Sequence, residues 1–274
     1  MCQVRFGRIL VPVDGSKSSF QSLEMAATLS KRMASEATVI HVIPESAVAP
    51  AEGEPRAIGK EVVSHLEQNA ESIISSARSL FAEEGLEVKS DVLRYRDPSN
   101  AILEFAEDGA YDLVIMGNGE DDRWELDSVG RVAEKVTKTW KGSVLVVKKT
   151  CGLSRISVVI GSEGETGVLE LAADLARSFG SQLKVISAPR DGKAAADSAL
   201  EVQLRKAREL GLAPQGEAMP RRDVKQLNRM LSADLTQLAI LQKPTPGILG
   251  RFLREGGWAY RVLLSCPCSV MLKA

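Results

Sequence analysis

A chain of 274 residues with 44% hydrophobic and 26% charged residues and a net charge of −1 has material for one large or two small buried cores. The balanced charge leaves no basic footprint for nucleic acid, and no apolar run approaches the ~20 residues that span a bilayer. Four cysteines in this length are not a disulfide framework, and the N-terminal stretch MCQVRFGRILVPVD runs straight into a strand without a secretory apolar region, so the expected location is cytoplasmic.

In chain order, the apolar run Ile9–Val13 stops at Asp14-Gly15-Ser16. A strand there sets Asp14 at its carboxyl end, where open α/β sheets hold their ligands. Ser16 is the expected N-cap of a helix to Arg32, with Phe20, Leu23, Ala27 and Leu29 turned toward the core. Val39–Ile43 is the second strand, followed by a Pro/Ala/Glu-rich loop over 44–55. Ile58–Glu84 reads as a long amphipathic helix, Val88–Leu93 as the third strand, and Asp97-Pro98 as the opening of a helix to Glu107. Leu113–Met116, closed by Gly117, is short and partly β-branched, the pattern of a buried parallel strand. A polar loop from Asn118 to Asp127 leads to Ser128, an N-cap by residue type, and to a helix over Arg131–Thr139. Val144–Val147 is the fifth strand. Strand, glycine loop and helix N-terminus form the geometry that binds phosphate, because unpaired backbone N–H groups and the helix dipole face the loop. The alternation predicts a parallel, doubly wound sheet.

The same order then recurs over Gly152–Ala274. Arg155–Gly161 mirrors Arg8–Asp14, Thr166–Phe179 is helical, Leu183–Ser187 a strand and Ala194–Leu210 a helix. Glu217–Met219 stands for a shortened third strand, Asp223–Ser232 is helical, Leu235–Leu241 matches Leu113–Met116, and Ser269–Lys273 matches Ser143–Lys148. The expected domains are 1–149 and 154–274, two copies of one fold. Each last strand is an apolar edge, and two related edges in one chain are expected to pair as an internal pseudo-dimer.

The stretches RILVPVDGS, IHVIP and YDLVIMG…GRVAEKV…GSVLVVK resemble a universal stress protein domain, and the whole chain resembles a tandem member of that family. The resemblance implies a five-stranded parallel sheet in the order 3-2-1-4-5 and a nucleotide cleft between its first and fourth strands. It also implies a regulatory module of the stress response, not a conventional enzyme, with at most slow ATP hydrolysis.

The family's ATP-binding pattern is G-x-x-G-(x9)-G-(S/T). Carried over, it falls on Gly117, Glu120, Gly130 and Arg131, with Gly119 one place before the second glycine. Asp14 occupies the position of the family's aspartate, and Val42 that of its adenine-facing backbone. The residues expected around the nucleotide are thus Pro12, Val13, Asp14, Val42, Met116, Gly117, Gly119, Gly130, Arg131 and Val132. Glu120, Asp121 and Asp122 place negative charge in the phosphate loop, with Arg123 and Arg131 as counter-charges. The pattern leaves ATP, a diphosphate, a monophosphate such as AMP, and an unoccupied cleft open.

In the second copy Gly161 replaces the aspartate and Gln242 the strand-ending glycine, so a structural partner for the first copy is expected. Ile248, Leu249, Phe252 and Leu253 are candidates for a protein-facing surface. His41 and His65 read as structural or solvent-facing, and Trp124 as a rim aromatic. Cys266-Pro267-Cys268 has one intervening residue, short of a redox or zinc motif, and reads as packing. Two functions remain: an adenine-nucleotide module, or a ligand-free interaction protein whose altered loops meet an unidentified protein partner. The assembly is a monomer with pseudo-dimeric domains or a homodimer.

Overall fold

A computed structural model of the chain describes residues 6–45, 56–119, 129–148, 152–161, 167–190, 192–244 and 257–274. These form two compact units, one drawn from residues 6–122 and 130–140 and the other from residue 129 and residues 141–274.

In the first unit, β1 (Arg8–Val13), β2 (Glu36–Pro44), β3 (Lys89–Tyr95) and β4 (Leu113–Gly117) pair in parallel in the order β3-β2-β1-β4. Val11 stands opposite Val39, and Leu10 is flanked by Thr38 and Val114. The apolar runs behave as strands because both faces of the two inner strands are covered: β4 is buried throughout and β1 along all but its first residue. Helix α1 (Lys17–Met33) packs on β1 and β4, α2 (Arg56–Glu83) on β2, and α3 (Pro98–Asp108) against α4 (Arg131–Thr139).

Local chemistry sets the helix starts. The Ser16 side chain accepts the Ser19 N–H at 3.2 Å, and Asp97 accepts the Ser99 N–H at 2.8 Å, with Pro98 in the first turn. One expectation fails here. The N-cap of α4 is Gly130, which makes no side-chain cap, and Ser128 lies outside the described residues. A glycine suits this corner because the chain comes very close to Gly119, as described below.

In the second unit, β5 (Ser143–Val147), β6 (Arg155–Ile160), β7 (Gln182–Ser187), β8 (Gln215–Ala218), β9 (Leu238–Gln242) and β10 (Ser269–Lys273) lie in the order β5-β10-β9-β6-β7-β8. The second copy therefore holds a complete 3-2-1-4-5 sheet, and the first unit fills the places 3-2-1-4. Strand β5, last of the first copy, pairs antiparallel with β10 inside the second unit: Val144 faces Leu272, Leu145 faces Met271 and Val146 faces Val270. The apolar edges expected to meet do meet. Helices α5 (Val168–Phe179), α6 (Lys193–Glu209), α7 (Val224–Ala233) and α8 (Trp258–Ser265) complete the repeat.

The fourth strand of this copy begins later than the sequence predicts. Leu235 is not in β9 but ends the turn after α7, at φ +52° and 68% exposed. Ala110 takes the same backbone conformation ahead of β4, at φ +47°.

Candidate functional site

The carboxyl ends of β1, β2 and β4 open into a cleft of about 510 Å³ within the first unit. Its floor begins at Pro12 and Val13, after which the chain turns at Gly15, whose φ of +85° suits glycine. The turn points Asp14 outward. Its Oδ1 accepts the Ser16 N–H at 3.0 Å, and the Ser16 hydroxyl lies 3.1 Å from that of Ser18. Burial works against ionisation of Asp14. The Ser16 hydroxyl and N–H and the Ser19 hydroxyl outweigh it and hold the carboxyl below its ordinary value. The cleft thus carries a fixed anionic acceptor at the end of β1.

The second strand adds His41, Val42 and Pro44. His41 is buried, with Nδ1 2.9 Å from the Val13 carbonyl oxygen. A carbonyl only accepts, so Nδ1–H is the donor, and the ring ties the carboxyl ends of β1 and β2 together. Leu66 and Asn69 of α2 and Pro98 and Ile102 of α3 form the walls.

The fourth strand closes the cleft through glycine. A Cβ on Gly117 would lie 2.5 Å from both the carbonyl carbon and the oxygen of Ser18, so only glycine lets β4 end against the first turn of α1. Gly119, at φ +77°, and Gly130 pinch the base of the following loop. The Gly130 N–H donates to the Asn118 oxygen at 2.6 Å, and a Cβ on either glycine would sit 3.0 Å from the other's Cα. Gly130, Arg131, Val132 and Ala133 then line the cleft as the first turn of α4. With no side-chain cap at Gly130, this turn presents its backbone N–H groups and positive dipole end. Arg131 adds an exposed guanidinium.

Every residue expected around the nucleotide lines this cleft: Pro12, Val13, Asp14, Val42, Met116, Gly117, Gly119, Gly130, Arg131 and Val132. Glu120, Asp121, Asp122, Arg123 and Trp124 lie outside the described residues. Sequence reasoning missed Ser18, Ser19, His41, Leu66, Asn69 and Ile102 as lining residues. Leu66 and Asn69 carry the only forewarning, a spacing of three that puts both on one face of α2. Among the described residues, no group of three or more His, Cys, Asp or Glu is placed to hold a metal ion.

The matching end of the second copy is built differently. Trp258 starts α8 where Arg131 starts α4, and the Arg222 guanidinium lies over its ring, 5.3 Å from the centroid. Arg222 Nε also donates to the Ala188 oxygen at 3.1 Å. Gln242 turns its amide nitrogen to the Lys273 oxygen at 3.1 Å, and Lys243 sends its ammonium to the Gly142 oxygen at 2.8 Å. Ile248, Leu249, Phe252 and Leu253 lie outside the described residues.

The model of the universal stress protein family matches residues 5–148, more than half of the chain. This chain belongs to the universal stress protein family. A universal stress protein of Methanocaldococcus jannaschii is 31% identical over 145 residues, which cover 53% of this chain and 83% of that protein. A universal stress protein of Bacillus subtilis is 24% identical over 148 residues, covering 52% of this chain and 99% of its own. A match of that length within 274 residues fits a tandem arrangement. The crystal structure of a universal stress protein from Archaeoglobus fulgidus aligns over 97% of this chain and 95% of its own with a TM-score of 0.74, a likeness of fold at 19% identity. Among the described residues, no helix is long and apolar enough to cross a membrane.

Proposed function

We propose that this chain is a non-enzymatic, cytoplasmic regulatory module of the stress response that binds an adenine nucleotide, ATP or AMP, in the cleft of its first copy. The observation that carries this reading is the convergence of three unlike features on one cleft: the ionised Asp14, the apolar slot around Val42, Leu66 and Ile102, and the uncapped first turn of α4. A base fits the slot, ribose hydroxyls are donors suited to Asp14, and phosphate suits backbone N–H groups with Arg131 beside them. The cleft volume of about 510 Å³ lies in the range of small-molecule sites. In the second copy Gly161 and Gln242 offer neither a carboxylate nor a close glycine approach. We assign it the role of structural partner, with domains 1–149 and 154–274 forming an internal pseudo-dimer.

Heat denaturation of the purified protein, extraction and chromatography test the reading, with adenine nucleotide as the expected product. Calorimetric titration of nucleotide-free protein with ATP and AMP then gives saturable heats. An empty extract together with flat titrations overturns it and leaves the ligand-free interaction protein.

A further inference from the structure

The corner between α8 and β10 holds a pair of thiols outside the nucleotide cleft. Cys266 is 0% exposed and Cys268 4% exposed, and their sulfurs lie 3.1 Å apart. Pro267 stands between them with its φ fixed by the ring, and the short sulfur–sulfur distance puts both thiols on one side of the corner. The backbone is anchored on either flank. The Cys266 N–H donates to the Val262 oxygen at 2.8 Å, ending α8, and β10 begins at Ser269. Lys148, just after β5, supplies a cation: its ammonium donates to the Cys266 oxygen at 2.9 Å and the Leu264 oxygen at 3.2 Å.

We propose that Cys266 and Cys268 form a reversible dithiol–disulfide couple that takes hydrogen peroxide as oxidant. The 3.1 Å separation is about 1 Å beyond a disulfide bond of roughly 2.05 Å. The two thiols differ in acidity. The Cys268 thiol donates to Cys266 and, with the Lys148 charge, holds Cys266 below its ordinary value against the effect of burial. The same hydrogen bond and burial push Cys268 well up. The Lys148 ammonium, held on the Cys266 oxygen, marks Cys266 as the attacking thiolate and Cys268 as the resolving thiol.

In the first step the Cys266 thiolate attacks one peroxide oxygen. The O–O bond breaks, Cys266 becomes a sulfenic acid, and the second oxygen leaves as water after gaining a proton. In the next step the Cys268 sulfur attacks the Cys266 sulfur, the S–S bond forms, and the sulfenic oxygen leaves as water with the Cys268 proton. In sum, two thiols are oxidised and one hydrogen peroxide is reduced to two waters. A dithiol reductant reverses the change. This chemistry does not rest on the nucleotide cleft, which lies in the other unit.

The test uses the full chain with Cys2→Ser and Cys151→Ser, so that only this pair reports. After stoichiometric hydrogen peroxide, the protein is unfolded and alkylated with N-ethylmaleimide. The expected mass is two hydrogens lighter with no alkylation, and dithiothreitol restores both sites. In this background Cys268→Ser leaves a Cys266 sulfenic acid that dimedone traps, whereas Cys266→Ser gives adduct at least roughly tenfold more slowly. Two alkylated thiols after peroxide overturn the couple, as does a product joined between molecules. Equal dimedone labelling of the two variants overturns the assignment of Cys266 as attacker. If either variant does not fold, the mass of the paired-cysteine protein alone decides.

Discussion

Substituting Gly117 by alanine tests the geometry of the cleft most directly. The added Cβ would stand 2.5 Å from the carbonyl carbon and oxygen of Ser18, whereas ordinary contact begins at 3.4 Å, so something must move by about 0.9 Å. Neither side yields easily. Ser18 sits in a first turn fixed by the Ser16 cap, and β4 is paired with β1 through Ile9–Leu113 and Leu10–Val114. Overpacking against mobile side chains costs about 1–3 kcal/mol, and two backbones in collision put this case near 3 kcal/mol. With a urea dependence of about 2 kcal/mol per molar, the unfolding midpoint should fall by roughly 1.5 M. The same change at Gly152, with no atom within 4 Å of the added carbon, should stay within about 0.5 kcal/mol. Circular dichroism in urea reads both, and calorimetry should show lost nucleotide binding for Gly117→Ala alone. A Gly117→Ala midpoint within about 0.3 M of wild type would refute the claim that a bare glycine is required here.

Replacing Leu235 by glycine should stabilise the second unit by about 0.5–1 kcal/mol, because an exposed side chain held at φ +52° is relieved; an unchanged or lower urea midpoint contradicts this. Burial lowers the Lys243 ammonium to about 8, so between that pH and its ordinary value of 10.5 the unfolded chain holds more protons and stability rises with pH. Relative to Lys243→Met, wild type should gain roughly 3 kcal/mol across that window, and parallel stability curves would exclude it. Asp14→Asn should weaken adenine-nucleotide binding by about 1.5–3 kcal/mol, roughly tenfold or more, by removing a charged acceptor. Since the Asp14 carboxyl is held below its ordinary 3.8, the ratio of wild-type to Asp14→Asn affinity, in which the titration of the nucleotide phosphate cancels, should be level down to that pH and fall only beneath it, and a ratio already falling at neutral pH would speak against this role.

The apolar runs made the fold legible. Ile9–Val13, Leu113–Met116 and Val144–Val147 are too short for helices and lack alternation, and they became the buried strands β1, β4 and β5. Asp97-Pro98 and Ser16 announced their helices because capping is a local event, decided by a side chain and the N–H groups two or three residues on. Leu235 was misassigned since its apolar side chain extends the pattern of β9, while its backbone obeys the end of α7. Ser128 drew the N-cap by residue type, yet the close approach of Gly119 and Gly130 decides where α4 begins, and no local pattern encodes a contact between distant backbones. For the same reason the β1–β4 side of the cleft could be read from strand ends, whereas Leu66, Asn69 and Ile102 arrive from helices whose rotation depends on tertiary packing.

The pairing of β5 with β10 also has a temporal side. Lys148 and Ser269, bonded across these strands, are separated by 121 residues of chain. At a ribosomal pace of about 5–20 residues per second, β5 exists for roughly 6–24 s before its partner has been made. Throughout that interval the apolar run Val144–Val147 has the backbone groups that will face β10 unclaimed, beside any neighbouring nascent chain that carries the same strand. The interval from β5 to β10 is therefore when aggregation competes with folding, and slower translation of the second copy would lengthen the exposure of the first.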